Sequence, residues 1–244
     1  MTYTAALHAE WIKIRTLRSL VGALCAVLLA TVAFSVLAGA DTDGGTADGA
    51  SDPLSSVFFG VSFGQIAAVA FGATAVSAEF RGGALGLWWC AVPDRVRWFA
   101  AKVTAIALPV FVVGLLTGLV TLFAGRTALG ARADQLTWAD GMRGVVGCGV
   151  YLTLMALLAA GLAAVLRSGV ATLGFLVPFL LIVSFVIGDL SGTVADYLPD
   201  RAGQAVLHTG TDAGPGPWTG LAVTALWAAA ALAAGGWSVR RRDV

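Results

Sequence analysis

The sequence predicts an all-α integral membrane protein with six transmembrane helices, and three observations carry that prediction. Six stretches hold no charged side chain: residues 19–40, 53–78, 103–125, 144–166, 168–188 and 213–239. Each is 21 to 27 residues long, and a bilayer core of about 30 Å needs roughly 20 helical residues to span it. All 15 basic and 14 acidic residues lie between these runs, as expected if a charge at the centre of an isolated span costs about 2.5–3.5 kcal/mol. Hydrophobic residues make up 58% of the chain and charged ones 12%, against about 25% charged in soluble domains. No stretch between the runs is long enough to build a hydrophobic core of its own. Residues 1–244 therefore read as one transmembrane domain, with spans at about 19–40, 57–78, 103–125, 144–166, 168–188 and 218–239.

Orientation follows from the basic residues of the short loops. A cytoplasmic N-terminus puts eleven of them inside (Lys13, Arg15, Arg18, Arg81, Arg95, Arg97, Lys102, Arg167, Arg240, Arg241, Arg242) and leaves Arg126, Arg132, Arg143 and Arg201 outside. Acidic residues divide the opposite way, four inside and ten outside. Both termini are thus expected in the cytoplasm. The loop 126–143, with three Arg and two Asp, is the weakest member of the pattern.

Residues 1–18 are expected to form an amphipathic helix on the cytoplasmic membrane surface. Tyr3, Leu7, Trp11 and Ile14 fall on one helical face, with Glu10 and Arg18 at its edges and His8, Lys13 and Arg15 elsewhere. The first run, ending in Ala38-Gly39-Ala40, imitates a secretory signal, but 22 residues exceed the usual apolar core and a long polar segment precedes it. An uncleaved first span is expected. Residues 41–52 imitate a calcium loop but carry Thr46 at the turn position and Asp52 at the last, so a solvated acidic loop is expected. The segment 79–102 is charged at both ends and apolar in the middle, with Trp88, Trp89 and Trp98. Its composition suits either an interfacial hairpin or a surface that docks a protein. Pro93 should end a short helix, and Arg95 to Lys102 should lead into the third span.

Spans four and five are joined by little more than Arg167-Ser168 and must pack as a tight antiparallel pair. Residues 189–217 form the longest external loop, and Val194, Tyr197, Leu198, Val206 and Leu207 could dip part of it into the membrane interface. Gly60/Gly64 and Gly114/Gly118 have the spacing that permits close helix contact. Cys25, Cys90 and Cys148 are scattered and read as small apolar residues, and His8 and His208 fall on opposite sides of the membrane.

The chemistry these residues lack narrows the function. Ion-coupled carriers usually keep an ionisable relay inside the bundle, whereas Gln65 is the most polar side chain in any span interior. A P-loop needs Gly-Lys followed by Ser or Thr; the two lysines, Lys13 and Lys102, follow Ile12 and Ala101. No Ser/His/Asp or HExxH arrangement is present. The chain is not expected to be an enzyme, to hold a cofactor or metal, or to bind nucleic acid. Uphill transport would have to be energised through a partner.

Several segments resemble the membrane subunits of ABC-2-type transporters, particularly the actinobacterial type. They are Glu10 to Ser19 (E-W-I-K-I-R-T-L-R-S), A-E-F-R-G-G-A-L from Ala78, A-V-P-D-R from Ala91, L-P-D-R-A-G-Q-A from Leu198, G-P-W-T-G from Gly216, and the ending R-R-R-D-V. This resemblance implies a permease subunit of an ABC exporter in a bacterial cytoplasmic membrane. It would pair with a second permease subunit, identical or different, and with cytoplasmic ABC ATPase subunits. Glu79, Phe80, Arg81 and Gly83 would open the element that couples to the ATPase, with Pro93, Arg95 and Lys102 at its far end. Glu10, Trp11 and Lys13 of the interfacial helix would brace it. The alternative is a non-transporting membrane anchor or immunity protein that recruits an ATPase or sensor.

Overall fold

A computed structural model describes residues 3–41, 52–80, 95–129, 136–183, 195–209 and 215–241. These residues are helical with short turns and include no strand. The helices are α1 (Tyr3–Thr16), α2 (Arg18–Asp41), α3 (Pro53–Val57), α4 (Val61–Ser77), α5 (Arg95–Leu129), α6 (Trp138–Leu166), α7 (Gly169–Pro178), α8 (Pro199–Gln204) and α9 (Pro217–Arg241). Tight 3-10 turns extend α4 over Ala78–Phe80 and α8 over Ala205–Leu207, and a π-helical turn continues α7 over Phe179–Val183.

Five segments are long and apolar enough to cross a bilayer: Arg18–Gly39, Val61–Phe80, Val96–Ala128, Trp138–Leu166 and Pro217–Arg241. The fifth uncharged run holds a shorter apolar helix, Gly169–Ile182, and its last residues, 184–188, lie outside the described part. The chain is therefore a multi-pass, all-helical membrane protein. Large side chains such as Leu29, Leu37, Val170 and Leu226 are exposed along these helices, which in a bilayer is the lipid-facing surface.

Small residues set how the helices pack. A Cβ added at Gly60 would lie 1.9 Å from the Thr31 carbonyl, and one at Gly64 1.9 Å from Thr31 Oγ1, so α2 and α4 run antiparallel in close contact. Gly114 meets Gly149, and Gly118 meets Val145, which makes α5 and α6 a second antiparallel pair. The spacings Gly60/Gly64 and Gly114/Gly118 both mark real crossings. Gly72 against Ala156, and Gly161 and Gly235 against Ala231 and Ala164, place α4 and α9 alongside α6 in parallel. Helix α6 is the axis, with one face of small residues and Tyr151, Leu152 and Met155 fully buried.

These directions define two ends. The base carries α1, the starts of α2, α5 and α7, and the ends of α4, α6 and α9. The apex carries α3 and α8. At the base, α6 stops at Arg167, which takes the left-handed conformation (φ 54°) while its N–H bonds to the Ala163 carbonyl. Ser168 then caps α7 through the Ala171 N–H, 3.2 Å away. The two-residue connection between α6 and α7 is as the sequence predicts.

Three expectations change. The second uncharged run is broken: Asp52 caps the short α3, residues 58–60 turn, and α4 starts only at Val61. The third span is longer than expected, a continuous helix of 35 residues from Arg95 that absorbs Pro109. The face of α1 is also rotated. Its buried residues are Ala6, Glu10 and Ile14, so Glu10 is the centre of the inward face rather than its edge, and Tyr3 is exposed. The calcium-like residues 42–51 and Cys90 lie outside the described residues; Cys25 is exposed and Cys148 buried.

Candidate functional site

Four charged side chains from three parts of the chain meet inside the base. Glu10 projects from the inward face of α1 and is 1% exposed; Lys13 follows one turn later. Glu79 sits in the 3-10 turn that closes α4, and Lys102 lies two turns into α5, 4% exposed. Lys102 Nζ bridges the two carboxylates, 2.6 Å from Glu10 Oε2 and 2.7 Å from Glu79 Oε1. Lys13 Nζ bridges them from the other side, 2.7 Å from Glu79 Oε1 and 3.1 Å from Glu10 Oε1. Two cations and two anions alternate in a closed ring with no net charge.

Local sequence explains the geometry. On α1, residues 6, 10 and 14 share a face, and Lys13 is next to Glu10 across the i, i+3 spacing. The tightening after Ser77 turns Glu79 inward as span two ends. Leaving Glu10, Glu79 or Lys102 unpaired here would be costly, so these members hold one another in place. A cavity of about 20 Å3 adjoins the ring, lined by Leu17, Leu20 and Ile106 besides the charges. That is room for a single water.

The ring fastens α1 to both ends of the segment 81–94. Glu79 is two residues before that segment and Lys102 eight after it; Lys13 pairs with Glu79 and Glu10 with Lys102. Phe80 is half-buried, with the Arg167 guanidinium 5.7 Å above its ring, so the end of α4 also touches the α6–α7 connection. Trp11 lies apart, in a groove between α1 and α5. Arg95 is the first residue of α5; Arg81, Gly83 and Pro93 lie outside the described residues. Of the ten residues singled out from sequence, the structure thus brings four into direct contact.

A second polar cluster, at the apex, was signalled in the sequence only by Gln65. The Tyr151 hydroxyl donates to Gln65 Oε1 within the bundle and accepts from Gln204 Nε2 at 3.2 Å, while Ser62 Oγ donates to Gln204 Oε1 at 3.1 Å. Helix α8 is held by this cluster and by Thr224, whose hydroxyl donates to the Pro199 carbonyl at 2.8 Å. Pro199, Asp200, Ala202 and Gly203 are buried, and Val206 and Leu207 are buried with them while Tyr197 is exposed, so this part of the loop packs into the bundle; Val194 lies outside the described residues. Beyond α8, Asp52 accepts two 2.6 Å bonds from Thr209, and Arg143 donates to the His208 carbonyl at 2.9 Å.

Among the described residues no group of His, Cys, Asp or Glu could hold a metal ion. The ring at the base has its charges mutually satisfied and offers no nucleophile with a base beside it. Its contribution is to connection: it ties α1, the end of α4 and the start of α5 to one another. Comparison with protein-family models and with curated proteins gives no match.

Proposed function

We propose that the chain is the membrane-spanning permease subunit of an ATP-binding cassette exporter, forming a translocation path with a second permease subunit and energised by a separate ATPase. The observation that carries this reading is the buried ring Glu10–Lys102–Glu79–Lys13. A partner pushing on segment 81–94 would act on two helices at once, and the ring would carry the displacement into α4 and α5 without loss in a flexible joint. α1 would serve as the brace. In this reading the base faces the cytoplasm of a bacterium, both termini are cytoplasmic, and the fifth uncharged run completes a sixth span. The resemblance of Glu10–Ser19 and Ala78–Leu85 to ABC-2 permeases supports the same assignment.

The test is reconstitution of the chain with a candidate ABC ATPase from the same organism, scored by ATP-dependent substrate flux. Glu79→Ala should insert normally yet lose coupling, with ATPase co-purification or ATP-driven flux falling sharply. Inverting all four members together (Glu10→Lys, Lys13→Glu, Glu79→Lys and Lys102→Glu), which preserves the alternation, should regain part of it. If Glu79→Ala transports as well as the unaltered chain, the ring has no coupling role. If no flux appears under any condition while the ATPase still binds, the chain is a non-transporting anchor.

A further inference from the structure

The ring of charges has a consequence for the outer surface of the base. It consumes both acidic residues found there among the described residues, Glu10 and Glu79, and buries them. Among the described residues, Arg15, Arg18 and Arg241 are exposed charged side chains at that end. Beside them, α1 and α5 frame an apolar groove of about 300 Å3, lined by Leu7, His8, Trp11, Thr104 and Leu108. Tyr3 pins one side of it, its hydroxyl donating to Thr104 Oγ1 at 2.8 Å. Leu108 is 55% exposed, on a helix apolar enough to span the bilayer, so the groove opens where lipid chains are the surrounding medium.

Helical spacing ties the basic residues to this groove. On α1, the groove residues Thr4, His8 and Trp11 are followed on the same face by Arg15, about 6 Å further along the axis. On α5, Arg97 precedes Thr104 and Leu108 on one face, about 10 Å toward the helix start. Glu10 points away from this face, into the ring. An apolar slot with exposed Arg15 beyond its mouth, where the acidic side chains among the described residues are drawn into the ring, has the complement of one ligand type, an acyl chain with an anionic head.

We infer that the α1–α5 groove binds an anionic phospholipid, one acyl chain lying against Leu7, Trp11 and Leu108 and its phosphate drawn to Arg15. This goes beyond the transport reading and does not depend on it. The basic rim supplies selectivity by charge, and the groove supplies a fixed seat that a bare basic surface lacks.

The experiment is native mass spectrometry of the full chain, purified in detergent and given equal amounts of dioleoylphosphatidylglycerol and dioleoylphosphatidylcholine. The unaltered chain should retain one phosphatidylglycerol in preference to phosphatidylcholine. Arg15→Gln should lower that preference about fivefold, the contribution expected of one basic residue beside an anionic headgroup. Leu108→Trp, which fills the groove from an exposed position, should abolish retention of the tightly held lipid. Equal retention of the two lipids, or full retention by both variants, overturns the proposal. Displacement of the lipid by inorganic phosphate would also overturn it, because the seat would then be a phosphate site without a chain. So would a homodimer sealed through Leu108→Cys, which would make the groove a contact between copies.

Discussion

Lys102 has a carboxylate oxygen within 2.7 Å on each side and almost no access to water. Removing one member of such a group leaves charges of one sign buried without compensation, whereas removing the group together need not be costly. Lys102→Met should therefore lower stability by about 3–5 kcal/mol, read by thermal unfolding in detergent. Adding Glu10→Gln and Glu79→Gln should recover most of the loss, since the remaining Lys13 side chain is 30% exposed and can be hydrated. Failure to recover would mean that the ring acts through shape rather than charge. At the apex, Tyr151→Phe removes the hydroxyl shared by Gln65 and Gln204 and should cost about 0.6–2 kcal/mol by the same measurement. Individual residues were unequally legible. Glu10, Lys13, Glu79 and Lys102 stood out because charges beside apolar runs are few. Tyr151 did not, because an aromatic within an apolar run looks like core, and only its distant partner Gln204 gives the hydroxyl a purpose.

Between elements, contact is governed by absent side chains. A Cβ at Gly72 would fall 2.0 Å from the Ala156 carbonyl, and one at Gly220 2.0 Å from the Ala202 carbonyl. These neighbours are backbone atoms that cannot swing aside. Gly72→Ala should force α4 off α6, and Gly220→Ala should lift α9 off α8, each at about 1–3 kcal/mol of overpacking. Gly174, on α7, has nothing within 4 Å of an added Cβ. Gly174→Ala should be neutral or gain up to about 1 kcal/mol from helix propensity. Parallel melting curves of the three variants check the contrast. Element boundaries show where sequence reading fails. Freedom from charge marks what a bilayer tolerates, but it is blind to backbone direction. The turn at residues 58–60 is therefore invisible within the run 53–78 and shows only as the close approach of Gly60 to Thr31. The rotated face of α1 failed for a related reason. Reading apolar residues as the inward face treats Glu10 as an intruder, but a carboxylate met by two lysines is a good buried residue.

At the scale of the whole molecule, helix direction and charge sorting are independent observations that can be set against each other. Helices α2, α5 and α7 begin at the base, and α4, α6 and α9 end there, so Tyr3 and Arg241 lie at the same end of the bundle. The helix packing alone does not say which side of the membrane that end faces. The basic residues supply the expectation: eleven of the fifteen Lys and Arg belong to segments placed at that end, which the positive-inside rule would put in the cytoplasm. Of the acids at the base, Glu10 and Glu79 are locked in the ring. The loop 126–143, with its three arginines, pulls the other way. Two of these are already engaged: Arg126 lies 4.4 Å over the Trp138 ring, and Arg143 donates to the His208 carbonyl. Arginines tied into apex structure still count during insertion, so this loop is the real test of the rule. In a background without native cysteines, Trp138→Cys at the apex, 58% exposed, should react with a membrane-impermeant maleimide added outside intact cells. Leu166→Cys at the base, 44% exposed, should react only after the membrane is opened. The reverse pattern would put the base outside and remove segment 81–94 from the reach of any cytoplasmic ATPase. The transport reading would then fail, while the lipid seat, which needs only a bilayer and Arg15, would stand.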